Sequence, residues 1–325
     1  MAKAPRSLVG TVVAITGGAR GIGKATAAAL IAQGAKVAIG DIDASLAAKS
    51  AQELGHGTLG LPLDVTVRRS FEGFLDQVEA QLGPLEVLVN NAGIMPIAPF
   101  TEESDDTARA IIDINIHGVM LGSKLALKRF LPRGHGHLIN IASAAGKAGF
   151  PGGATYCASK HAVVGLSEAI RAEVRDRGIG VSVIMPIVVH TELGSGLPET
   201  RGLKAVEPED VAHAIVEALQ RNRYEVFVPR SLASILRPKG ILPIRVVDAI
   251  GRLLKSDQVL MQPNRERRAA YEARVAAGVQ HVPSAPAPEG SQGNGAPAQT
   301  QGQAAAAEGA QFQGQAPVPE DPVAP

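Results

Sequence analysis

Val9-Gly10-Thr11-Val12-Val13-Ala14-Ile15-Thr16-Gly17-Gly18-Ala19-Arg20-Gly21-Ile22-Gly23 begins as an apolar run and turns into a glycine-dense loop. From Lys24 an alanine-rich pattern continues to Gln33 and is closed by Gly34, as a helix is. Val37-Ala38-Ile39-Gly40 reads as a second strand and ends at Asp41. Strand, glycine turn, helix, strand and acid form one βαβ unit. Gly17, Gly21 and Gly23 permit a tight turn, close approach of backbone to a pyrophosphate and close helix packing. The helix start offers unpaired N–H groups and a positive dipole end to phosphates. The stretch therefore points to nucleotide binding.

The acid at the end of the second strand refines that reading. Asp41 is placed to accept hydrogen bonds from adenosine ribose hydroxyls and to repel a 2′-phosphate, so it favours NAD over NADP. Arg20, in the glycine loop, would serve such a phosphate and argues the other way. Asp41 is given the greater weight, because a carboxylate facing a phosphate is a repulsion built into the site.

Strand and helix go on alternating. Gly60 to Leu63 leads to Asp64-Val65, and Val67 to Leu82 is an amphipathic helix. Leu85 to Val89 is an apolar strand ending in Asn90-Asn91-Ala92-Gly93, whose amides suit bracing a loop. Ala108 to Phe130 is a long helix with Asn115 near its middle, unfavourable by propensity unless its side chain is exposed or has a task. Leu138 to Ile141 is a strand leading to Ser143. A helix from Tyr156 to about Arg177, a strand from Gly180 to Met185, a helix from Glu207 through Leu219 and a strand from Tyr224 to Val228 follow. Such alternation predicts a parallel, doubly wound sheet.

Tyr156-Cys157-Ala158-Ser159-Lys160 carries the chemistry. Tyr156 and Lys160 are one helical turn apart and share a face. A phenol of pKa about 10 is a poor base at neutral pH. An ammonium held nearby favours the phenolate and is expected to lower that value. Tyr156 then becomes a general acid/base toward a carbonyl or alcohol oxygen. Ser143 places a hydroxyl at the carboxyl end of a strand, where open α/β sheets bind ligands.

Composition bounds the alternatives. The chain has 325 residues, enough for one large α/β domain with extensions. A net charge of +1 argues against a nucleic-acid binder. The single cysteine, Cys157, excludes an internal disulfide framework and a cysteine-rich zinc site, and is read as a packing residue. His135-Gly136-His137 has no evident third ligand, so no metal is expected. Met1 to Leu8 has no signal-peptide character and no stretch reaches about 18 uncharged apolar residues. A cytoplasmic protein is expected.

With these residues assembled, the chain resembles the short-chain dehydrogenase/reductase family over roughly residues 6–230. Thr16-Gly17-(x)3-Gly21-x-Gly23, Asp64, Asn90-Asn91-Ala92-Gly93, Asn115, Ser143 and Tyr156-(x)3-Lys160 occur in order and at family-like spacing. The resemblance implies a Rossmann-type sheet and a catalytic set of Asn115, Ser143, Tyr156 and Lys160. Tyr156 would exchange the proton with the substrate oxygen, and Ser143 would hydrogen-bond that oxygen. Lys160 would also hold the nicotinamide ribose, and Asn115 a water in a proton relay. It implies cofactor contacts at Thr16, Gly17, Arg20, Gly21, Ile22, Gly23, Asp41, Asp64, Val65, Asn91, Ala92 and Gly93. Tyr156, Lys160, Pro186, Val189 and Thr191 complete that set, with Asp64 and Val65 at the adenine and Thr191 at the carboxamide. One departure stands out: Pro186-Ile187-Val188-Val189-His190-Thr191 has Ile187 where the family usually has glycine, which puts the local turn and pocket floor in question. His190 is read as a loop filler. Glu192 to Val206 corresponds to the segment that covers the substrate.

The chain divides into a catalytic domain at 1–230, an apolar and helical extension at 231–280 and a disordered low-complexity tail at 281–325. In the extension, positions 246, 247, 250, 253 and 254 form an apolar stripe. It either packs on protein or rests peripherally on a membrane through 231–255. Asn264 to Ala277 is a charged helix candidate. The expected activity is hydride transfer between NAD and a hydrophobic alcohol/ketone or aldehyde, by a homodimer or homotetramer. The alternatives are an NADP-dependent reductase of acyl-chain ketones and a non-catalytic nucleotide-sensing binding protein.

Overall fold

Short runs of Val, Ile, Leu and Ala without polar alternation suit strands covered on both faces. The computed structural model shows this, describing residues 4–197, 204–237, 245 and 264–279 within the compact unit Met1–Pro283. The strands are β1 (Val12–Thr16), β2 (Lys36–Asp41), β3 (Leu59–Pro62), β4 (Val87–Asn90), β5 (Gly136–Ile141), β6 (Ile179–Pro186) and β7 (Glu225–Val228). They form a 7-stranded parallel sheet in the order β3-β2-β1-β4-β5-β6-β7.

Successive side chains of a strand leave opposite faces of the sheet. Val13 and Ile15 meet Ala27 and Leu30 of α1 (Gly21–Ile31) and Val211 and Ile215 of α7 (Pro208–Arg221) on one face. Val12 and Ala14 meet Phe71, Phe74 and Leu75 of α3 (Arg68–Leu82) and Leu125 and Phe130 of α5 (Val119–Phe130) on the other. The remaining core helices are α2 (Ala44–Leu54), α4 (Asp105–Ile112) and α6 (Ala154–Val174).

Strand order reverses beside β1, which pairs with β2 through Ile15↔Ile39 and with β4 through Ile15↔Val89. Chain winding departs in opposite directions from this point. A crevice therefore opens beyond the carboxyl ends of β1 and β4, where Gly17 and Asn91 follow their strands.

The helix expected over Ala108–Phe130 is not uniform. Between α4 and α5 the backbone widens into a π-helical segment, Asp113–Gly118, with Asn115 wholly buried inside it. Asp105–Arg133 as a whole is long and apolar enough to cross a membrane, and half of its apolar window is buried against the protein. The helix from Tyr156 ends at Val174, slightly before the expected Arg177.

In the C-terminal part, α8 (Leu232–Leu236) seats Leu232 in the cluster of Phe227, Val183 and Met185. The charged helix expected at 264–277 is present as α9 (Arg265–Val279). The apolar stripe at 246–254 and the tail at 281–325 lie outside the described residues.

Candidate active site

The glycine loop is shaped by space. Gly17 has φ +62°, and a Cβ there would stand 2.9 Å from Ala92 Cα; at Gly23 it would stand 2.3 Å from the Gly17 carbonyl. Arg20, the residue before α1, supplies no side-chain cap, so the first N–H groups of that helix have no such acceptor. Thr191 leans over the same loop, with its Cγ2 3.2 Å from the Cβ position of Gly21. The Asp41 carboxylate braces the loop, accepting from Ala19 N at 3.1 Å and from Asp43 N at 3.2 Å. Next to it, Ile42 is 72% exposed. Arg20 is held by two carboxylates, Glu192 at 3.1 Å and Asp43 at 3.4 Å.

The opposite lip is bolted to this one. Thr16 Oγ1 accepts from Asn91 N at 2.9 Å and Ala92 N at 3.0 Å, while Asn91 Nδ2 donates to the carbonyls of Thr16 and Gly17, both at 2.9 Å. The bracing expected of the amides is thus performed by Asn91. Asn90 points into the core and donates to Asn140 Oδ1 at 2.9 Å. Asp64 is tied into its own turn, accepting from Thr66 N and Thr66 Oγ1 at 2.9 and 2.7 Å. Val65 is buried against the Gly118 backbone.

A tight glycine turn, uncapped helix N–H groups, a strand-end carboxylate and exposed apolar surface beside it fit a dinucleotide. Gly17, Gly21 and Gly23 would hold its phosphates, and Asp41 and Ile42 its adenosine half.

Asn115, Ser143, Tyr156 and Lys160 converge at the carboxyl ends of β4 and β5. Asn115 accepts from Ile94 N and donates to Ile94 O, both at 2.9 Å, and donates to Ser159 Oγ at 3.1 Å. The π segment turns this amide inward, which answers the question its mid-helix position raised. Gly93 lies between two members of the set: a Cβ there would stand 3.1 Å from Asn115 Oδ1 and 3.5 Å from Lys160 Nζ. Lys160 is buried, donates to Ile141 O at 3.0 Å and sits 5.7 Å from the centre of the Tyr156 ring. Ser143 caps the short turn Ala144–Gly146 through Ala145 N at 3.1 Å, and its hydroxyl also hydrogen-bonds the Tyr156 phenol.

The electrostatics depart from expectation. Burial is the largest influence on Tyr156 and raises its pKa above the ordinary phenol value; the Ser143 hydrogen bond pulls it down, and Tyr271 and Cys157 push it up. Burial also lowers Lys160, to about 8. A Lys160 ammonium that lowers the phenol's pKa is thus not what this structure displays. The amine is itself desolvated and bonded to the Ile141 carbonyl, and burial dominates at the phenol.

Around the phenol the surface is apolar. Met95, Ala145, Tyr156 and Cys157 form one buried cluster, with Ile97, Phe150, Leu193 and Leu197 packed on it. Cys157 is buried there, as expected of a packing residue. Pro186 ends β6, and Val189 forms a parallel bridge with Val206. Ile187 answers the departure noted in the sequence. Its N–H donates to Val228 O at 2.9 Å, its side chain packs on the cluster of Val119, Met185 and Phe227, and its φ is not left-handed. His190 pairs with Glu207 at 2.6 Å on the surface. His135 and His137 diverge: the first meets Glu86 at 2.8 Å, the second is buried against Ser182 Oγ at 2.8 Å. Among the described residues no three His, Cys, Asp or Glu side chains gather as metal ligands.

Sequence reasoning missed Ser159, Met95, Arg268 and Tyr271. Ser159 falls inside the Tyr156–Lys160 spacing, and its position one residue before the lysine was the available signal. Nothing local marks the other three.

A family model described as short chain dehydrogenase matches residues 11–202. The 2-(S)-hydroxypropyl-CoM dehydrogenase 3 of Xanthobacter autotrophicus is 38% identical over 226 residues, 63% of this chain and 88% of that protein. The 3-alpha-(or 20-beta)-hydroxysteroid dehydrogenase of Mycobacterium tuberculosis is 36% identical over 213 residues, 64% of this chain and 82% of that protein. Among solved structures, a 3-ketoacyl-(acyl-carrier-protein) reductase of Brucella melitensis complexed with NADH superposes with a TM-score of 0.64 at 26% identity, covering 69% of this chain and 100% of that one. A short chain dehydrogenase/reductase of Burkholderia phymatum in complex with NAD shares the fold, with a TM-score of 0.66 at 24% identity over 71% of this chain and 93% of that one.

Proposed function

The chain belongs to the short-chain dehydrogenase/reductase family, acting on a CH–OH/carbonyl pair with a nicotinamide cofactor, and from that premise we propose that it is an NAD-dependent oxidoreductase of hydrophobic alcohols and ketones or aldehydes. The observation that carries the reading is the convergence of the Ser143 and Tyr156 hydroxyls, Lys160 Nζ and the Asn115 amide beneath an apolar cluster. The nicotinamide, when bound, supplies or accepts the hydride.

Tyr156 gives its phenolic proton to a carbonyl oxygen in reduction and takes it from the alcohol in oxidation. Ser143, hydrogen-bonded to that phenol, holds the substrate oxygen in line with it. Lys160, held by Ile141 O, carries charge beside the phenol and takes up or releases a proton about one unit above neutrality. Asn115 shapes the cleft through Ile94 and Ser159. The apolar wall of Met95, Ile97, Phe150 and Leu193 excludes water and favours a bulky hydrocarbon substrate. Relatives named as hydroxysteroid dehydrogenases support that size class. The expected assembly is a homodimer or homotetramer.

NAD is favoured over NADP because Asp41 ends β2 and Arg20 is already engaged by Glu192 and Asp43. The second reading, an NADP-dependent reductase of acyl-chain ketones, draws on Arg20, Lys24 and Lys49 lining one cavity beside the glycine loop, and on acyl-carrier-protein reductases among the relatives. Titration with NADH and NADPH separates the two.

The test of the reading is NADH formation from alcohols graded from short chains to sterol size. Turnover should rise with apolar size and fall by roughly a thousandfold in Tyr156→Phe, while NADH binds the variant within about twofold of the native Kd. Turnover surviving in the variant would refute the assigned role. Tight NADH binding without turnover of any alcohol or ketone would favour a nucleotide sensor.

A further inference from the structure

Helix α9 does not sit where a peripheral charged helix would. Arg268 is completely buried, 0% exposed, although the sequence around it is Arg265-Glu266-Arg267-Arg268. Burying a guanidinium costs several kcal/mol unless its donors are met. They are met by backbone carbonyls from two separate loops: Nη1 donates to Leu193 O at 3.2 Å and Ser195 O at 3.0 Å, and Nη2 donates to Met95 O at 2.8 Å. Glu272, one turn on, accepts from Nε at 3.1 Å, and the Tyr271 ring lies 5.2 Å from the guanidinium carbon. The helix is seated on the loop following Val189 at further points. Asn264 N donates to Gly196 O at 2.9 Å, Ser195 Oγ donates to Arg267 O at 2.9 Å, and Arg274 pairs with Glu192 at 2.6 Å.

Tyr271 is only 8% exposed, and its hydroxyl accepts from Met95 N at 2.7 Å. Met95 belongs to the cluster that contains Tyr156. One face of α9 therefore reaches the apolar wall of the reaction site, and its arginine fixes the two loops that form that wall.

We propose that α9 is part of the substrate pocket: Tyr271 is a specificity-determining wall that limits the size of the alcohol or ketone accepted, and Arg268 is the positioning residue that holds the 191–197 loop and the Met95 loop against it. The proposal rests on the dehydrogenase reading for its substrate class. It assigns to the C-terminal extension a part in recognition that the family model's residues 11–202 do not contain.

The test uses the full chain with two probes, cyclohexanol and a 3-hydroxysteroid. In Tyr271→Ala the ratio of kcat/KM for steroid over cyclohexanol should rise by at least about tenfold, chiefly through KM. Tyr271→Phe should keep the native ratio within about twofold, because the wall is the ring. In Arg268→Met, KM for both probes should rise by about tenfold or more with NADH affinity within about twofold, and amide exchange in 191–197 should quicken by about tenfold. Arg268→Lys, which keeps the charge without the planar fork, should recover part of both effects. A native ratio in Tyr271→Ala, or native exchange and KM in both arginine variants, would overturn the proposal. If the native chain turns over neither probe nor any alcohol or ketone of the graded panel, the dehydrogenase reading fails instead. Exchange in the arginine variants, and calorimetric binding of the steroid to the NADH complexes of native protein and Tyr271→Ala, then decide the proposal.

Discussion

The cofactor end of the cleft and its substrate end are closed by different means. At the cofactor end, Thr16, Gly17, Asn91 and Ala92 lock two strand ends together at the switch point of the sheet. The parts are backbone groups and short side chains, each next to the strand that carries it. At the substrate end, Met95 is joined to Tyr271 and Arg268, 176 and 173 residues away in sequence. The first region is stiff because its geometry belongs to the sheet. The second is conditional, because it exists only while α9 is docked. A cleft built this way keeps a constant cofactor seat and leaves its substrate wall free to differ.

The widest departure between the two ends should appear in pH dependence. Alcohol oxidation needs a proton acceptor, and burial holds Tyr156 above the ordinary phenol range. In kcat/KM, oxidation should therefore climb about tenfold per pH unit from pH 7 to 9, while carbonyl reduction, which needs the protonated phenol, stays flat over the neutral range. NADH affinity should change far less over the same span, even as Lys160 releases its proton there. An oxidation profile already level at pH 7 would show that the loaded cleft lowers the phenol's pKa and that Lys160 does what the sequence suggested.

A smaller effect isolates the cofactor end. In Gly23→Ala the new methyl would meet the Gly17 carbonyl at 2.3 Å, so the loop must shift. NADH Kd should rise by roughly thirtyfold, corresponding to about 2 kcal/mol. Amide exchange in 193–197, beyond the contacts that Thr191 and Glu192 make with the glycine loop, should not change. Coupled loss at both ends would break the separation drawn above.

The smallest effect lies away from both ends, in the body of the sheet. His137 in β5 is buried and held neutral, with its pKa lowered to about 3 by burial first and by Arg6 second. Ser182 donates its own proton to Arg223 O, so His137 Nε2 is the donor in the bond between them. Below pH 6.5 the unfolded chain gains a proton here that the folded chain refuses, so stability is lost as pH falls from 6.5 toward 3. By pH 6 the loss should reach about 1 kcal/mol, read as a lower urea midpoint. His137→Gln should flatten that slope without altering the pH profile of oxidation. A slope unchanged in the variant would assign the acid sensitivity to other groups.

The sheet and most of the candidate site were legible in the chain itself. Apolar runs, glycines and a four-residue Tyr–Lys spacing are local patterns, and each states its own geometry through the period of a strand or helix. Asn115 was legible as an anomaly, an amide in mid-helix, and the π segment that turns it inward is the structural answer. The upward push of burial on the Tyr156 pKa was not legible, because spacing reports that an amine is near, not how far both groups are withdrawn from water.

Sequence alone determined the strand–helix alternation, the glycine loop, the carboxylate after β2 and the choice of Ser143, Tyr156 and Lys160 as candidates, since all are written in separations of a few residues. Tertiary structure alone decided that Arg268, last in the charged run at 265–268, is withdrawn from solvent, and that Tyr271 borders the candidate site. Burial of a long-range partner carries no period along the chain. It is set by which loops the fold brings beneath the helix, and only the folded molecule specifies that.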